Sequence, residues 1–325
     1  MTRLAYILAA SHSGSTLLSM LLGSHPLITA IGEMKFLPRA MGDVNRYRCS
    51  CGKLIRQCEF WQKLQEGMAR RGFDFDLASA RMDYSMVESR YARCLLAPML
   101  RGDQLEYIRD IMLRLSPTWQ KYLREVQKRN AAVASAVLEL TGARIVVDSS
   151  KAGLRLKYLR QNPELDVRVI RLVRDGRAVA LTYMDTEAFA DATDMSLRRG
   201  GMKSRPAYER LSMHQAAYEW CRRIEEGEHV LARLDRSRWI QVHYEELCTD
   251  TDATLSRIFT FLGLDPDRPI KDFRCAENHV VGNGMRLDST SEVRLDERWR
   301  QVLTAEQLAT FDKVAGAMNR KYGYV

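Results

Sequence analysis

Five consecutive residues near the start of the chain, His12-Ser13-Gly14-Ser15-Thr16, place three hydroxyls, a glycine and an imidazole side by side. Such a group suits an oxyanion. Hydroxyl and backbone N–H groups donate to it, the glycine lets the backbone come close, and a protonated histidine adds charge. Further on lie two more short clusters of charge and hydroxyl, Asp148-Ser149-Ser150-Lys151 and Arg174-Asp175-Gly176-Arg177. A carboxylate, Glu33, and a run of three thiols, Cys49, Cys51 and Cys58, complete the residues whose types could do chemistry.

The elements that must carry these residues can be read from hydropathy. Leu4 to Ala10 is an almost unbroken apolar run, as expected of a strand buried on both faces, and Thr16 to Leu22 is apolar on nearly every side. The first cluster therefore forms the turn between a buried strand and a buried helix. A helix that starts inside the protein leaves backbone N–H groups without partners and carries roughly half a positive charge there, so an anion is its natural occupant. Capping by Ser13 or Ser15 is the plainer alternative, although three hydroxyls and a glycine exceed what a cap needs. Against the pattern G-x-x-x-x-G-K-[ST], Gly14, Ser15 and Thr16 fall on the last three positions, while Ala9 replaces the first glycine and Ser15 the lysine. A triphosphate cradle is disfavoured, and a single phosphate suits what remains.

The strand pattern returns at Ala143 to Val147, which ends in the Asp148 cluster, at Val167 to Val173, which ends in the Arg174 cluster, and at Trp239 to His243. Helices are expected over Leu154 to Arg160, over Ala178 to Met184, over Tyr208 to Leu234 and over Ala253 to Leu262, with a capping box at Thr304 to Gln307 opening a last helix to Arg320. The fold class is α/β, a P-loop-like parallel sheet flanked by helices, whose ligands collect at the carboxyl ends of the strands. From about residue 60 to 140 the spacing is helical with no strand-like run. Leu95, Met99, Ile108, Ile111, Met112, Leu115, Tyr122, Leu123 and Val126 are expected to form the buried faces, with Pro98 and Pro117 as breaks. Residues 190 to 206, polar and glycine-rich, read as a mobile loop.

With these residues in view, the chain resembles the sulfotransferases that use 3′-phosphoadenosine 5′-phosphosulfate, and in motif spacing it is most like the tyrosylprotein sulfotransferases and a group of bacterial sulfotransferases. Their 5′-phosphosulfate loop reads basic-x-G-[ST]-T after the first strand, here His12 to Thr16. The resemblance covers about residues 4 to 42 and 143 to 300, and leaves the helical segment out. It implies that Ser13, Gly14, Ser15 and Thr16 hold the 5′-phosphate, and that Glu33, in Gly32-Glu33, is the general base. It also implies that His12 and Lys151 stabilise charge on the sulfuryl group and leaving phosphate. Arg174 and, eight residues later, Thr182 match the arginine and serine that hold the 3′-phosphate. Tyr244, in Val242-His243-Tyr244-Glu245-Glu246-Leu247, would contact the nucleotide, and Asn283, Gly284 and Arg286 would lie in the loop that closes over the 3′-phosphate. Two departures stand out: His12 replaces the usual arginine or lysine, and Thr182 the serine. A histidine there is charged near neutral pH only where an anion raises its pKa.

The resemblance thus implies one sulfotransferase domain over residues 1–325, with the segment of about 60–140 inserted in it and shaping the acceptor site. It implies 3′-phosphoadenosine 5′-phosphosulfate as donor, 3′-phosphoadenosine 5′-phosphate as product, and a hydroxyl-bearing acceptor: small molecule, sugar or peptide tyrosine. No metal is expected. Three cysteines bind zinc only with a fourth ligand, and the sequence identifies none, so zinc, a disulfide and free packed thiols all stay open for Cys49, Cys51 and Cys58. The formal charge of +9 fits a polyanionic ligand without requiring one, and no nucleic-acid motif is present. Neither a signal peptide nor a membrane span is expected, and with seven cysteines, an odd number, a cytoplasmic location is; a homodimer is left open. The rival readings are a P-loop nucleotide kinase, which the missing lysine opposes, and a nucleotide-binding protein without turnover, for which His12 speaks.

Overall fold

The computed structural model describes residues 1–36, 47–77, 80–96, 103–185, 210–267, 272–274, 278–288 and 290–325. Its centre is a parallel sheet of five strands in the order β2-β3-β1-β4-β5. These are β1 (Thr2–Ala9), β2 (Ile28–Gly32), β3 (Ile145–Lys151), β4 (Leu165–Val173) and β5 (Trp239–His243). After β1 the chain builds one half of the sheet through β2 and β3, then crosses to build the other through β4 and β5. The switch in direction opens a crevice at the carboxyl end of β1, where such sheets take their ligands.

From Leu4 to Ala9 strand β1 is apolar because both of its faces are covered. Leu4, Tyr6 and Leu8 join a core with Trp61, Trp119 and Val137, whereas Ala5 and Ile7 join one with Leu18, Leu22, Ile258 and Phe259. The first core is roofed by helices α2 (Glu59–Arg70) and α5 (Pro117–Thr141), and the second by α1 (Ser15–Leu22) and α10 (Thr251–Phe261). A third core, around Val173, Trp220 and Phe311, packs α7 (Gly176–Met184), α8 (Met213–Leu231) and α12 (Ala305–Lys321) together. The remaining helices are α3 (Arg90–Leu95), α4 (Asp103–Arg114), α6 (Gly153–Leu159), α9 (Tyr244–Thr249) and α11 (Trp299–Val302). Among the described residues, no helix is long and apolar enough to cross a membrane.

Several expectations change in detail. Strand β2, Ile-Thr-Ala-Ile-Gly, is a fully buried edge strand that hydropathy alone does not separate from a loop. Strand β3 runs on through Lys151, so the Asp148 cluster lies inside the strand rather than after it. Pro117 marks the expected break between α4, which ends at Arg114, and α5, and it does so from the first turn of α5, capped by Ser116. Helix α4 presents its apolar stripe outward, with Ile108 at 51 % exposure and Ile111 also exposed, and Leu115 just after it is exposed as well. Its buried residues are Arg109 and Leu113, and Asp110 beside them pairs with Lys157 at 2.7 Å, so the apolar stripe is not the buried face. Met99, Pro98 and the loop of 190 to 206 lie outside the described residues.

Candidate active site

The turn after β1 is built by backbone conformation. His12 (φ 63°) and Gly14 (φ 84°) both adopt the left-handed region, which folds the chain sharply into α1. Gly14 is the residue before the helix and supplies no side-chain cap, and all eight residues of α1 are buried. The positive end of the helix dipole therefore sits in the interior, facing the turn. A Cβ at Gly14 would meet the ring of Tyr244, with Cε2 only 2.7 Å away, so both the backbone angle and the packing demand glycine. Ser13 Oγ is buried and has no hydrogen-bond partner among the described residues. An unsatisfied hydroxyl aimed into a dipole-positive turn fits an anionic ligand group.

Around this turn the structure gathers residues from distant parts of the chain. Arg174, at the end of β4 and 2 % exposed, donates to His12 O at 2.8 Å and stacks its guanidinium over the Tyr244 ring at 4.3 Å. It also donates to Asp296 Oδ2 at 2.9 Å. Burial opposes the charge on Asp296, but Arg298 and Arg174 outweigh it and hold the carboxyl well below the ordinary range. The His12 ring lies edge-on to Tyr183, with 5.5 Å between centroids. Thr182, on α7, is buried and bonds back to Ala178 O at 3.1 Å. Its hydroxyl is thus engaged within its own helix.

On the other side of the turn, Glu33 follows β2 and is 2 % exposed. Lys151 at the end of β3, itself in the left-handed region at φ 66°, donates its ammonium to Glu33 Oε1. Glu33 Oε2 is buried without a hydrogen-bond partner among the described residues. Gly282 completes the group: a Cβ there would lie 3.3 Å from Thr16 Oγ1 and 3.7 Å from Glu33 Oε1. One carboxylate and one ammonium from the ends of β2 and β3 therefore pair near the hydroxyl of Thr16 in the first turn of α1.

The late loop holds this arrangement in place. Val281 bridges Gly32 in parallel, exchanging bonds with Ile31 O at 3.2 Å and Glu33 N at 3.1 Å, so that it extends the sheet beyond β2. Asn283 caps a short 3₁₀ turn, Gly284–Leu287, through Met285 N at 3.0 Å. Arg286, 1 % exposed, gives its guanidinium to the carbonyls of Gly282 and Asn283, each at 2.8 Å, and of Arg48, and stacks on Tyr47. Tyr47 OH in turn receives Gly282 N at 2.8 Å.

Asp148 is not available to a metal. Its Oδ1 accepts from Ser150 N at 2.9 Å and Ser150 Oγ, and its Oδ2 accepts from Arg155 Nε at 2.9 Å. Arg155 extends the network to Met82 O and Asn130 Oδ1, tying β3 to the helices between β2 and β3. Asp175 and Arg177 pair with each other, and Asp175 also receives Asn319, so this part of the cluster fastens α7 to the C-terminal helix. Beyond Lys151 a cleft of about 540 Å³ opens, lined by Lys35, Ser85, Leu96, Ala152 and Arg223 among others. Burial lowers the pKa of Lys35, with Asp83 opposing the shift.

Sequence reasoning misses Asp296, Tyr47 and Gly282, whose parts depend on contacts between segments far apart in the chain. It also identifies no fourth ligand for the cysteines. The fold brings His279 to them, with Nδ1 3.3 Å from Cys58 Sγ.

Residues 5–268 match a family model described as the sulfotransferase family. A search of curated proteins returned no match. Among solved structures, the sulfotransferase domain from the curacin biosynthetic pathway is similar at 15 % identity, covering 100 % of this chain and 99 % of that one, with a TM-score of 0.49. The sulfotransferase domain of the Synechococcus PCC 7002 olefin synthase gives 17 % identity, 98 % and 94 % coverage and a TM-score of 0.49. Sulfotransferase STF9 from Mycobacterium avium gives 13 % identity, 100 % and 78 % coverage and a TM-score of 0.43.

Proposed function

The chain belongs to the sulfotransferase family, and from that premise we propose that it moves a sulfuryl group from 3′-phosphoadenosine 5′-phosphosulfate to an acceptor hydroxyl. The observation that supports this reading best is the meeting of Glu33, Lys151 and Thr16 beside the buried start of α1. The donor supplies the activated sulfuryl group; the protein supplies position, charge and a proton acceptor.

In this reading the turn from Ser13 to Thr16 takes the 5′-phosphate through hydroxyl and backbone donors. Lys151 orients Glu33 by one carboxylate oxygen, which leaves Oε2 to receive the acceptor proton. As the acceptor oxygen bonds to sulfur, the bond from sulfur to the 5′-phosphate oxygen breaks. His12 and Lys151 offset the charge that develops there. Such a loosely bonded, charged transition state is stabilised by preorganised electrostatics and positioning, by analogy with phosphoryl transfer. Arg174 and Thr182 take the 3′-phosphate, which replaces Asp296 at the guanidinium, and Tyr244 holds the nucleotide from beneath the turn. Asn283 and Gly284 line the closing loop, and Arg286 shapes it through the carbonyls it binds. The cleft beyond Lys151 receives the acceptor, with Ser85 and Leu96 from the helical segment among its walls.

Engagement of Asp148 by Arg155 opposes the kinase alternative, because a strand-end carboxylate is what such an enzyme offers to magnesium. The test is transfer of label from sulfur-labelled donor to a tyrosine peptide, a sugar and a small phenol. We expect labelling of one class, inhibited by 3′-phosphoadenosine 5′-phosphate. Magnesium-dependent phosphorylation from ATP, with no sulfur transfer, would overturn the reading.

A further inference from the structure

Cys49, Cys51, Cys58 and His279 present three sulfurs and a ring nitrogen that all lie within 4.8 Å of one another. We propose that they form a structural zinc site. Cys51 and Cys58 Sγ lie 3.6 Å apart, Cys49 Sγ lies 3.6 Å from His279 Nδ1, and Cys58 Sγ lies 3.3 Å from the same nitrogen. Zinc–sulfur bonds of about 2.3 Å and a zinc–nitrogen bond of about 2.0–2.1 Å, at tetrahedral angles, place sulfurs about 3.8 Å apart and sulfur and nitrogen about 3.5 Å apart. The four atoms thus already stand near the corners of one zinc tetrahedron. Three thiolates and an imidazole are a closed, soft donor set of the kind that selects zinc in structural sites.

Both halves of the site are held by contacts of their own. Gly52, at φ 82°, turns the chain between Cys51 and Lys53, and Cys49 N bonds Lys53 O at 3.0 Å. Phe60 stacks on the His279 ring, 4.3 Å between centroids and 2° between planes, which fixes the ring's tilt. Ser50 joins the two segments: its Oγ donates to Asn278 O at 2.6 Å and accepts from Val280 N at 2.9 Å. Cys49 and Cys58 are buried and His279 is partly so, leaving Cys51 as the exposed corner.

The location gives the site a purpose. Val280 and Val281 follow His279 directly, and Val281 is the residue that pairs with Gly32 and Glu33. Zinc would therefore clip the late loop to the segment of residues 47–61, fixing the wall beside Glu33 while staying outside the reaction.

The experiment is metal analysis of the full chain, without a tag, grown with zinc and purified without chelator, by native mass spectrometry and plasma emission. One zinc per chain is expected, released when a mercurial blocks the thiols. Cobalt substitution should show tetrahedral ligand-field bands with thiolate charge transfer. His279→Ala and Cys58→Ser should bind zinc about tenfold or more weakly in competition with a chromophoric chelator, whereas Cys94→Ser, at an exposed thiol elsewhere, should keep it. If the cysteine variant fails to fold, the wild-type metal content still decides the question. Chain that stays metal-free after reconstitution with zinc, or a native mass showing a disulfide among these cysteines, would overturn the proposal.

Discussion

The two sides of the crevice are made from different materials. On the side proposed for the donor, the turn from His12 to Thr16 is backbone, shaped by two left-handed residues and backed by the ring of Tyr244. On the side proposed for the acceptor, the cleft is walled by side chains such as Lys35, Ser85, Leu96 and Arg223, drawn from elements far apart in the chain. A backbone-built cradle tolerates little substitution and recognises a charge pattern common to many proteins. A side-chain wall can change without disturbing the fold, and specificity is expected to reside there. In the proposed reading Glu33 and Lys151, which pair with each other, serve both.

The largest effect that this contrast predicts is at the boundary. Glu33→Gln keeps size and hydrogen-bonding reach but removes the proton acceptor, so kcat should fall about 10²–10⁴-fold while affinity for 3′-phosphoadenosine 5′-phosphate is retained. Steady-state rates paired with titration of the product nucleotide check both halves; near-normal kcat would remove Glu33 from the mechanism. On the donor side, Arg174→Ala should weaken 3′-phosphoadenosine 5′-phosphate by about 10- to 100-fold, as loss of charge-assisted hydrogen bonds to a phosphate would. Adenosine 5′-phosphosulfate, which lacks that phosphate, should lose much less, and equal losses would sink the assignment.

Smaller effects sharpen the contrast. Gly14→Ala forces a side chain into left-handed backbone and against Tyr244, which should cost about 1–3 kcal/mol in stability, read by denaturant unfolding. Ser85→Leu, by comparison, narrows only the cleft and should shift acceptor KM by less than about tenfold, leaving nucleotide affinity and stability near wild type. Asp296 gives the pH arm. Its folded pKa is depressed, so its pairing with Arg298 and Arg174 stabilises the protein fully above the ordinary carboxylate range and is lost as pH falls through the depressed value. Asp296→Asn should flatten that acid limb in thermal unfolding. An unchanged acid limb would show that this carboxylate does not set it.

How far the sequence carries follows the same division. The turn is legible because its donors are contiguous, and β1 and α1 are legible because burial on every side leaves an unbroken apolar record. Strand β2, five residues directly before Glu33, is hidden because its hydropathy does not separate it from a loop. The polar end of β3 reads as a loop because the partners that let Asp148 be buried, Arg155 and Asn130 beyond it, come from other elements. Helix α4 shows why a periodic stripe does not choose its own face: Arg109 and Leu113 are buried and Asp110 pairs with Lys157, while Ile108 and Ile111 stay exposed. His279 cannot be matched to Cys58 by spacing, because 221 residues separate them and only the fold brings them together.

The claim on which the rest depends is that the crevice at the end of β1 recognises a nucleotide with one phosphate at the buried helix start and another at Arg174. Calorimetric titration of the wild-type chain with 3′-phosphoadenosine 5′-phosphate, and separately with ATP and magnesium, tests it directly. The structure predicts saturable binding of the first ligand at one site, and binding of ATP with magnesium at least about tenfold weaker, since the turn lacks the lysine that reaches the β- and γ-phosphates. Tighter binding of ATP with magnesium, or no binding of 3′-phosphoadenosine 5′-phosphate, would contradict the account.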